Sequence, residues 1–176
     1  MTEQLVITAL SEDRPNLVDQ LSGWILDNDC NIADNRMMML NSEFSVLLLV
    51  SGNWNNLARL EDQVGQIGQK LGMSLSIKRT ESKQRNGEFL PYAVDVVTLD
   101  HPGIMHNLAN FFSQRSINIQ DLSTTSYAAT HTGTQMFAVH MCLDVPADTH
   151  IATLREEFLE FCDQLNLDAV IEPLKG

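Results

Sequence analysis

The chain has 176 residues, an apolar fraction of 44% and a formal net charge of −12, which suits one medium globular domain or two small ones. This acidity argues against duplex-DNA binding, which rests on several Lys/Arg–phosphate contacts. The longest aliphatic run, residues 46–50, is far short of the ~20 residues of a membrane helix.

The opening "MTEQ" has an acid and no basic stretch, so no signal peptide is expected and the location is expected to be cytoplasmic. Cys30, Cys142 and Cys162 are odd in number, widely separated and set in apolar sequence. They are expected to be reduced, buried thiols rather than disulfides or metal ligands.

An apolar strand over residues 5–10 stops at "SEDRP", and a helix is expected over residues 15–28. A hairpin follows, residues 32–40 with 44–51. A second helix carries Leu57, Leu60, Val64, Ile67 and Leu71 at three- and four-residue spacing, as a buried stripe requires. A last strand alternates Met73, Leu75 and Ile77. The first domain is therefore placed at residues 1–79, a polar linker ("TESKQRNGEFLP") at 80–91 and a second domain at 92–176. The mixed-sign cluster Lys78, Arg79, Lys83 and Arg85 falls at the linker and is expected to be a solvated stretch, not a nucleic-acid patch.

The second domain repeats the first. Asp13-Arg14-Pro15-Asn16-Leu17 matches Asp100-His101-Pro102-Gly103-Ile104, and Asn31-Ile32 matches Asn118-Ile119, all at an offset of 87. Leu17, Val18, Leu21, Trp24 and Ile25 map onto Ile104, Met105, Leu108, Phe111 and Phe112 at that same offset, as one apolar helix face. Phe44 maps onto Phe137 at 93, so the second hairpin is longer, with "SYAATHTGT" at its tip. The second helix recurs at 94, with Ile151, Leu154, Phe158, Phe161 and Leu165 in its stripe. Each half reads βαββαβ. The expected fold is α+β, two ferredoxin-like sandwiches with antiparallel sheets and helices on one face. Domains near 80 residues bury only ~60–65% of their unfolded surface, so the halves, or two chains of a homodimer, are expected to pack together. The Met run 37–39 on strand two is expected to place at least one side chain in the core, Trp24 to be core, and Trp54 to anchor a loop.

The strand–helix corner has a simple explanation and a more chemical one. Pro15 and Pro102 suit a first helical turn, and Asp13 and Asp100 suit N-caps, worth ~0.5–2 kcal/mol. Beyond capping, Gly103 leaves backbone uncovered where a carboxylate can meet helix N–H groups. The amides of Asn31 and Asn118 can hold either end of an amino acid, and Asp13 or Asp100 can face its ammonium. The candidate ligand-binding residues are Asp13, Arg14, Pro15, Asn16, Leu17, Asn31 and Ile32, with Asp100, His101, Pro102, Gly103, Ile104, Asn118 and Ile119. The second set is favoured because Asn16 puts a side chain where Gly103 has none.

Tandem βαββαβ units with D-R-P-x-L after strand one and N-I at strand two resemble ACT domains, regulatory modules that commonly bind amino acids where two such domains meet. "LVITALSEDRPNLV", "CNIADNRMMMLNSEF" and "LLLVSGNWN" resemble, more specifically, the glycine cleavage system transcriptional repressor family. That resemblance implies a cytoplasmic bacterial regulator with no DNA-reading domain of its own. It would act by contact with a LysR-type transcriptional activator of the glycine cleavage genes, with glycine or another small amino acid as effector and no other cofactor. Family members usually carry Gly where this chain has Asn16. The alternative is a stand-alone ACT-type sensor regulating a metabolic enzyme or another transcription factor.

Two other classes fare worse. For an enzyme, no Ser or Cys sits in a nucleophile turn. His101 and His106 do not share a helix face as a metal pair, and His131, His140 and His150 are scattered, so solvated or structural roles are expected. For an RNA-recognition motif, strand three needs exposed aromatics beside a basic residue, and "EFSVLLLV" and "MFAVHMCL" each hold one Phe.

Overall fold

The computed structural model describes residues 3–81 and 88–174, in two compact units, Met1–Gln84 and Arg85–Gly176. In the first, β1 (Gln4–Glu12) leads to α1 (Leu17–Asp27), a hairpin of β2 (Asn31–Leu40) and β3 (Glu43–Ser51), α2 (Trp54–Leu71) and β4 (Ser74–Thr80). The second repeats this order with β5 (Phe89–Leu99), α3 (Ile104–Ser113), β6 (Asn118–Ala128), β7 (Gln135–Pro146), α4 (Ile151–Gln164) and β8 (Asp168–Pro173). The sheets are antiparallel with strand orders β2-β3-β1-β4 and β6-β7-β5-β8. This is the expected α+β architecture, written twice.

One face of each sheet is covered by its two helices, and the alternation along the central strands follows from that. Leu5, Ile7 and Ala9 of β1 and Phe44, Val46, Leu48 and Val50 of β3 are buried against Leu17, Leu21, Trp24 and Ile25 of α1 and Leu57 and Leu60 of α2. The second core is more aromatic: Phe111, Phe112 and Phe158 pack with ring centroids 5.1–5.3 Å apart. Trp24 is core, its indole Nε1 donating to Gln63 Oε1 at 2.8 Å. The second hairpin tip spans residues 129–134, against two residues, 41 and 42, in the first.

Several expectations need correcting. Thr80 ends β4 and residues 89–91 open β5, so strands take both ends of the segment read as a linker. Residues 82–87, with Lys83 and Arg85, lie outside the described residues. Val18 and Met105 are exposed, because the true buried stripes of α1 and α3 skip the second helical residue in both copies. Met37, Met38 and Met39 are all exposed, on the edge strand β2. Trp54 is not in a loop; it opens α2, with the Arg79 guanidinium 5.5 Å from its ring centroid. Cys30 and Cys162 are buried free thiols, but Cys142 is only half-buried.

Candidate functional site

The two strand–helix corners share one backbone geometry. Both proline residues lie in the turn before the helix rather than in its first turn, and the helices begin two residues later than expected, at Leu17 and Ile104. The N-cap positions are Asn16 (φ 71°, ψ 8°) and Gly103 (φ 96°, ψ −8°). Pro followed by a residue near φ +80°, ψ 0° is the signature of a type II turn, which asks for Gly or Asn at its third position. Asn16 and Gly103 thus answer the same backbone demand, each in the way open to it.

The aspartates do not cap. Neither α1 nor α3 has a side-chain hydrogen bond at its N-cap, whereas Asn53 caps α2 by accepting from Asn56 N at 2.9 Å and His150 caps α4 by accepting from Thr153 N. The inserted turn carries Asp13 and Asp100 too far from the helix. Their backbone N–H groups instead donate across the hairpin to Ser42 O (2.9 Å) and Gln135 O (3.0 Å), and the Asp100 carboxylate accepts from Ser126 Oγ at 3.3 Å. The first-turn N–H groups of α1 and α3, with the positive end of each helix dipole, are left without a side-chain cap. The first in-helix bonds are Gln20 N to Asn16 O and Asn107 N to Gly103 O, both 2.9 Å.

The residues beside this shared turn differ. The Arg14 guanidinium donates to Leu71 O at the C-terminus of α2, where a cation also complements the helix dipole. His101, in the same place, turns its Nδ1 to its neighbour Pro102 O at 3.1 Å. Asp13, Pro15 and Asn16, like Asp100, Pro102 and Gly103, are exposed, and Leu17 and Ile104 are buried core residues.

The corner and the asparagines are not brought together within a unit. Glu43 pairs with Glu12 on one side and Leu40 on the other at the corner end of the first sheet, whereas Ser51 pairs with Gln4 and Asn31 at the other end. In the second unit Asp144 pairs with Asn118 on one side and Pro91 on the other, with Leu99 at the far end of β5. At ~3.3 Å per strand residue the two places lie on the order of 20 Å apart. A crossover helix causes this, since it carries the chain the length of the sheet before the next strand starts. Asn118 and Ile119 sit on a shallow, open depression of about 430 Å³ with Ser113 and Ser116. Ile32 lines a tighter apolar cavity of about 140 Å³ with Val18, Met37 and Phe44.

Missed by sequence reasoning was a polar cluster on the helix-free face of the second sheet, where Asp95, His140 and Cys142 are hydrogen-bonded. The alternation on β5 and β7 was the available signal, because it puts all three on the face opposite the core. Among the described residues, no three His, Cys, Asp or Glu converge as a metal-ligand set, and no helix is long and apolar enough to cross a membrane.

Residues 3–78 match the ACT domain family model, and the second unit repeats that topology strand for strand. Over 167 residues, 95% of this chain and 88% of the relative, the sequence is 29% identical to the glycine cleavage system transcriptional repressor of Escherichia coli (strain K12). The first unit is thus similar to ACT domains, and the chain as a whole is similar to these repressors. A crystal structure described as a candidate glycine cleavage system transcriptional repressor superposes with a TM-score of 0.76 at 28% identity, covering 100% of this chain and 99% of the other. A protein from Galdieria sulphuraria shares this two-unit fold at a TM-score of 0.80 and 19% identity, covering 99% of this chain and 100% of the other. The relatives aligned over 95% of the chain are transcriptional repressors, which places it with regulatory proteins rather than enzymes.

Proposed function

We propose that the protein is an amino-acid-responsive repressor of the glycine cleavage system. It works in the cytoplasm by contact with a LysR-type activator of those genes rather than by reading DNA itself. The observation that carries this is the alignment with the Escherichia coli repressor across 95% of the chain, both ACT units included. The net charge of −12 supports contact with protein over contact with DNA. Glycine is the first effector to try, and the second corner the first place to look. There the α3 N–H groups have no side-chain cap, Gly103 adds no side chain, and Asp100 is exposed three residues earlier in the same corner. An amino acid's carboxylate suits the helix N-terminus and its ammonium suits Asp100.

The test is a thermal-shift panel of amino acids with Asp100→Ala and Gly103→Asn, followed by capture of the purified activator with and without the active amino acid. Ligand at 100-fold over its Kd should add ~2.7 kcal/mol. Both variants should lose that shift, while Asn keeps the left-handed turn. If no amino acid moves the melt, sensing is refuted. A shift without capture of the activator refutes the proposed partner and favours a sensor acting on another protein. Salt-dependent binding to duplex DNA refutes action by protein contact alone.

A further inference from the structure

The second ACT unit carries chemistry that the first lacks. On β7, His140 and Cys142 are two residues apart and so share the sheet face that no helix covers, and His140 is paired in register with Asp95 of β5. His140 Nδ1 lies 2.7 Å from Asp95 Oδ1, and Cys142 Sγ lies 3.7 Å from His140 Nε2. An ionised carboxylate only accepts, so Nδ1–H must donate to Asp95, leaving the Nε2 lone pair facing the thiol. A nucleophile in reach of a base, itself oriented by a third group, is the general arrangement that activates a thiol. The register that equates the two units puts Thr8, Leu47 and Leu49 at these positions in the first sheet. An apolar-and-hydroxyl surface has there been replaced, at three places at once, by a hydrogen-bonded relay.

We propose that Cys142 is a reactive thiol, oxidised by hydroperoxides with His140 as its base and Asp95 as the positioning residue. The thiol proton passes to His140 Nε2 as sulfur attacks one peroxide oxygen. The O–O bond breaks, and the departing oxygen takes the proton from His140. The sum is RSH + R′OOH → RSOH + R′OH, with sulfur oxidised by two electrons and the peroxide reduced. The cluster is open enough for a small oxidant, the side chains of His140 and Asp95 being 45% and 56% exposed. Charge works in both directions. Asp121 on β6 faces Cys142, Asp144 stands two residues along β7 and is held by Gln120, and Glu172 on β8 faces Ala93 beside it. These carboxylates attract a cation at His140 and repel an anion at Cys142, so the base has to act on the thiol directly.

The other two thiols serve as internal controls. Both are buried, and burial raises their pKa, that of Cys162 to about 12. The experiment treats the full chain with limiting hydrogen peroxide and traps sulfenic acid with dimedone, read by peptide mass. A parallel iodoacetamide rate is followed from pH 5.5 to 9. One adduct at Cys142 is expected, forming faster in the native protein than at the same cysteine in the urea-unfolded chain. His140→Gln should slow labelling at pH 7 about tenfold or more and restore the steep rise with pH of an unassisted thiol. Asp95→Asn should fall between. The proposal is overturned if native Cys142 reacts no faster than in the unfolded chain, or if folded His140→Gln reacts at the wild-type rate.

Discussion

The left-handed corner makes a quantitative prediction. A non-glycine residue in this region is disfavoured by about 1–2 kcal/mol, with Asn the mildest exception. A Cβ built on Gly103 meets nothing closer than Asn107 Nδ2 at 4.0 Å, so Gly103→Ala adds no clash and its penalty is backbone strain alone. The expected loss is about 1–2 kcal/mol, or roughly 5–10 °C in Tm for a unit of this size. Gly103→Asn should lose less than half of that. In the first unit Asn16→Gly should be close to neutral and Asn16→Ala should lose about 1 kcal/mol. The reporters are conveniently divided, since Trp24 and Trp54 lie in the first unit and Tyr92 and Tyr127 in the second. Urea unfolding by Trp fluorescence reads the Asn16 variants, and far-UV circular dichroism reads the Gly103 variants. Equal destabilisation by Ala and Asn at position 103, or none from Ala at either corner, would refute a backbone demand for positive φ.

Other positions are as open to test. A Cβ on Gly52 would stand 2.8 Å from Cys30 Sγ and 3.3 Å from Leu57 Cδ2. Gly52→Ala should therefore lose about 1–3 kcal/mol, and a denaturation cycle with Cys30→Ala should recover part of it; strict additivity would count against the contact. Cys162, raised to about 12 by burial with Asp163 adding to it, favours the neutral thiol in the fold over an unfolded value near ~8.5. Stability from this group is complete below about pH 8.5 and is lost as pH rises toward 12, by at most ~1.4 kcal/mol per pH unit. The alkaline decline in denaturation free energy should be shallower in Cys162→Ala than in the wild type. Arg14→Met should destabilise the first unit by about 1 kcal/mol through the lost bond to Leu71 O while leaving amino-acid binding unchanged; weaker binding with unchanged stability would reverse its role.

The internal repeat was open to direct reading because both copies must bury the same helix stripes against the same strands, and Leu21/Leu108 or Leu60/Leu154 can be paired by eye. The corner was harder. Asp next to Pro reads as a cap entering a helix, and only the positive φ at Asn16 and Gly103 reveals a turn between them. The Met run misled because alternation says which side of a strand a residue faces, not whether that strand lies at the open edge of its sheet. The separation of Asn118 from Gly103 was implicit in the topology, since a crossover helix ends at the far end of the sheet from where it began.

The two copies have kept the turn and changed what stands around it. Position 14 is tied to the end of α2, while His101 reaches only its neighbour's carbonyl. The same divergence appears on the helix-free faces, where Leu47 and Leu49 in one unit correspond to His140 and Cys142 in the other. Backbone geometry is shared because both folds need it; the side chains that differ are exposed or half-buried, where stability constrains them least. In both places the second unit holds the more reactive groups, with an uncapped, side-chain-free helix start at one end and a thiol relay on its sheet. If sensing and reactivity both lie in the second unit, substitutions there should change response more than stability, and matched substitutions in the first should do the reverse.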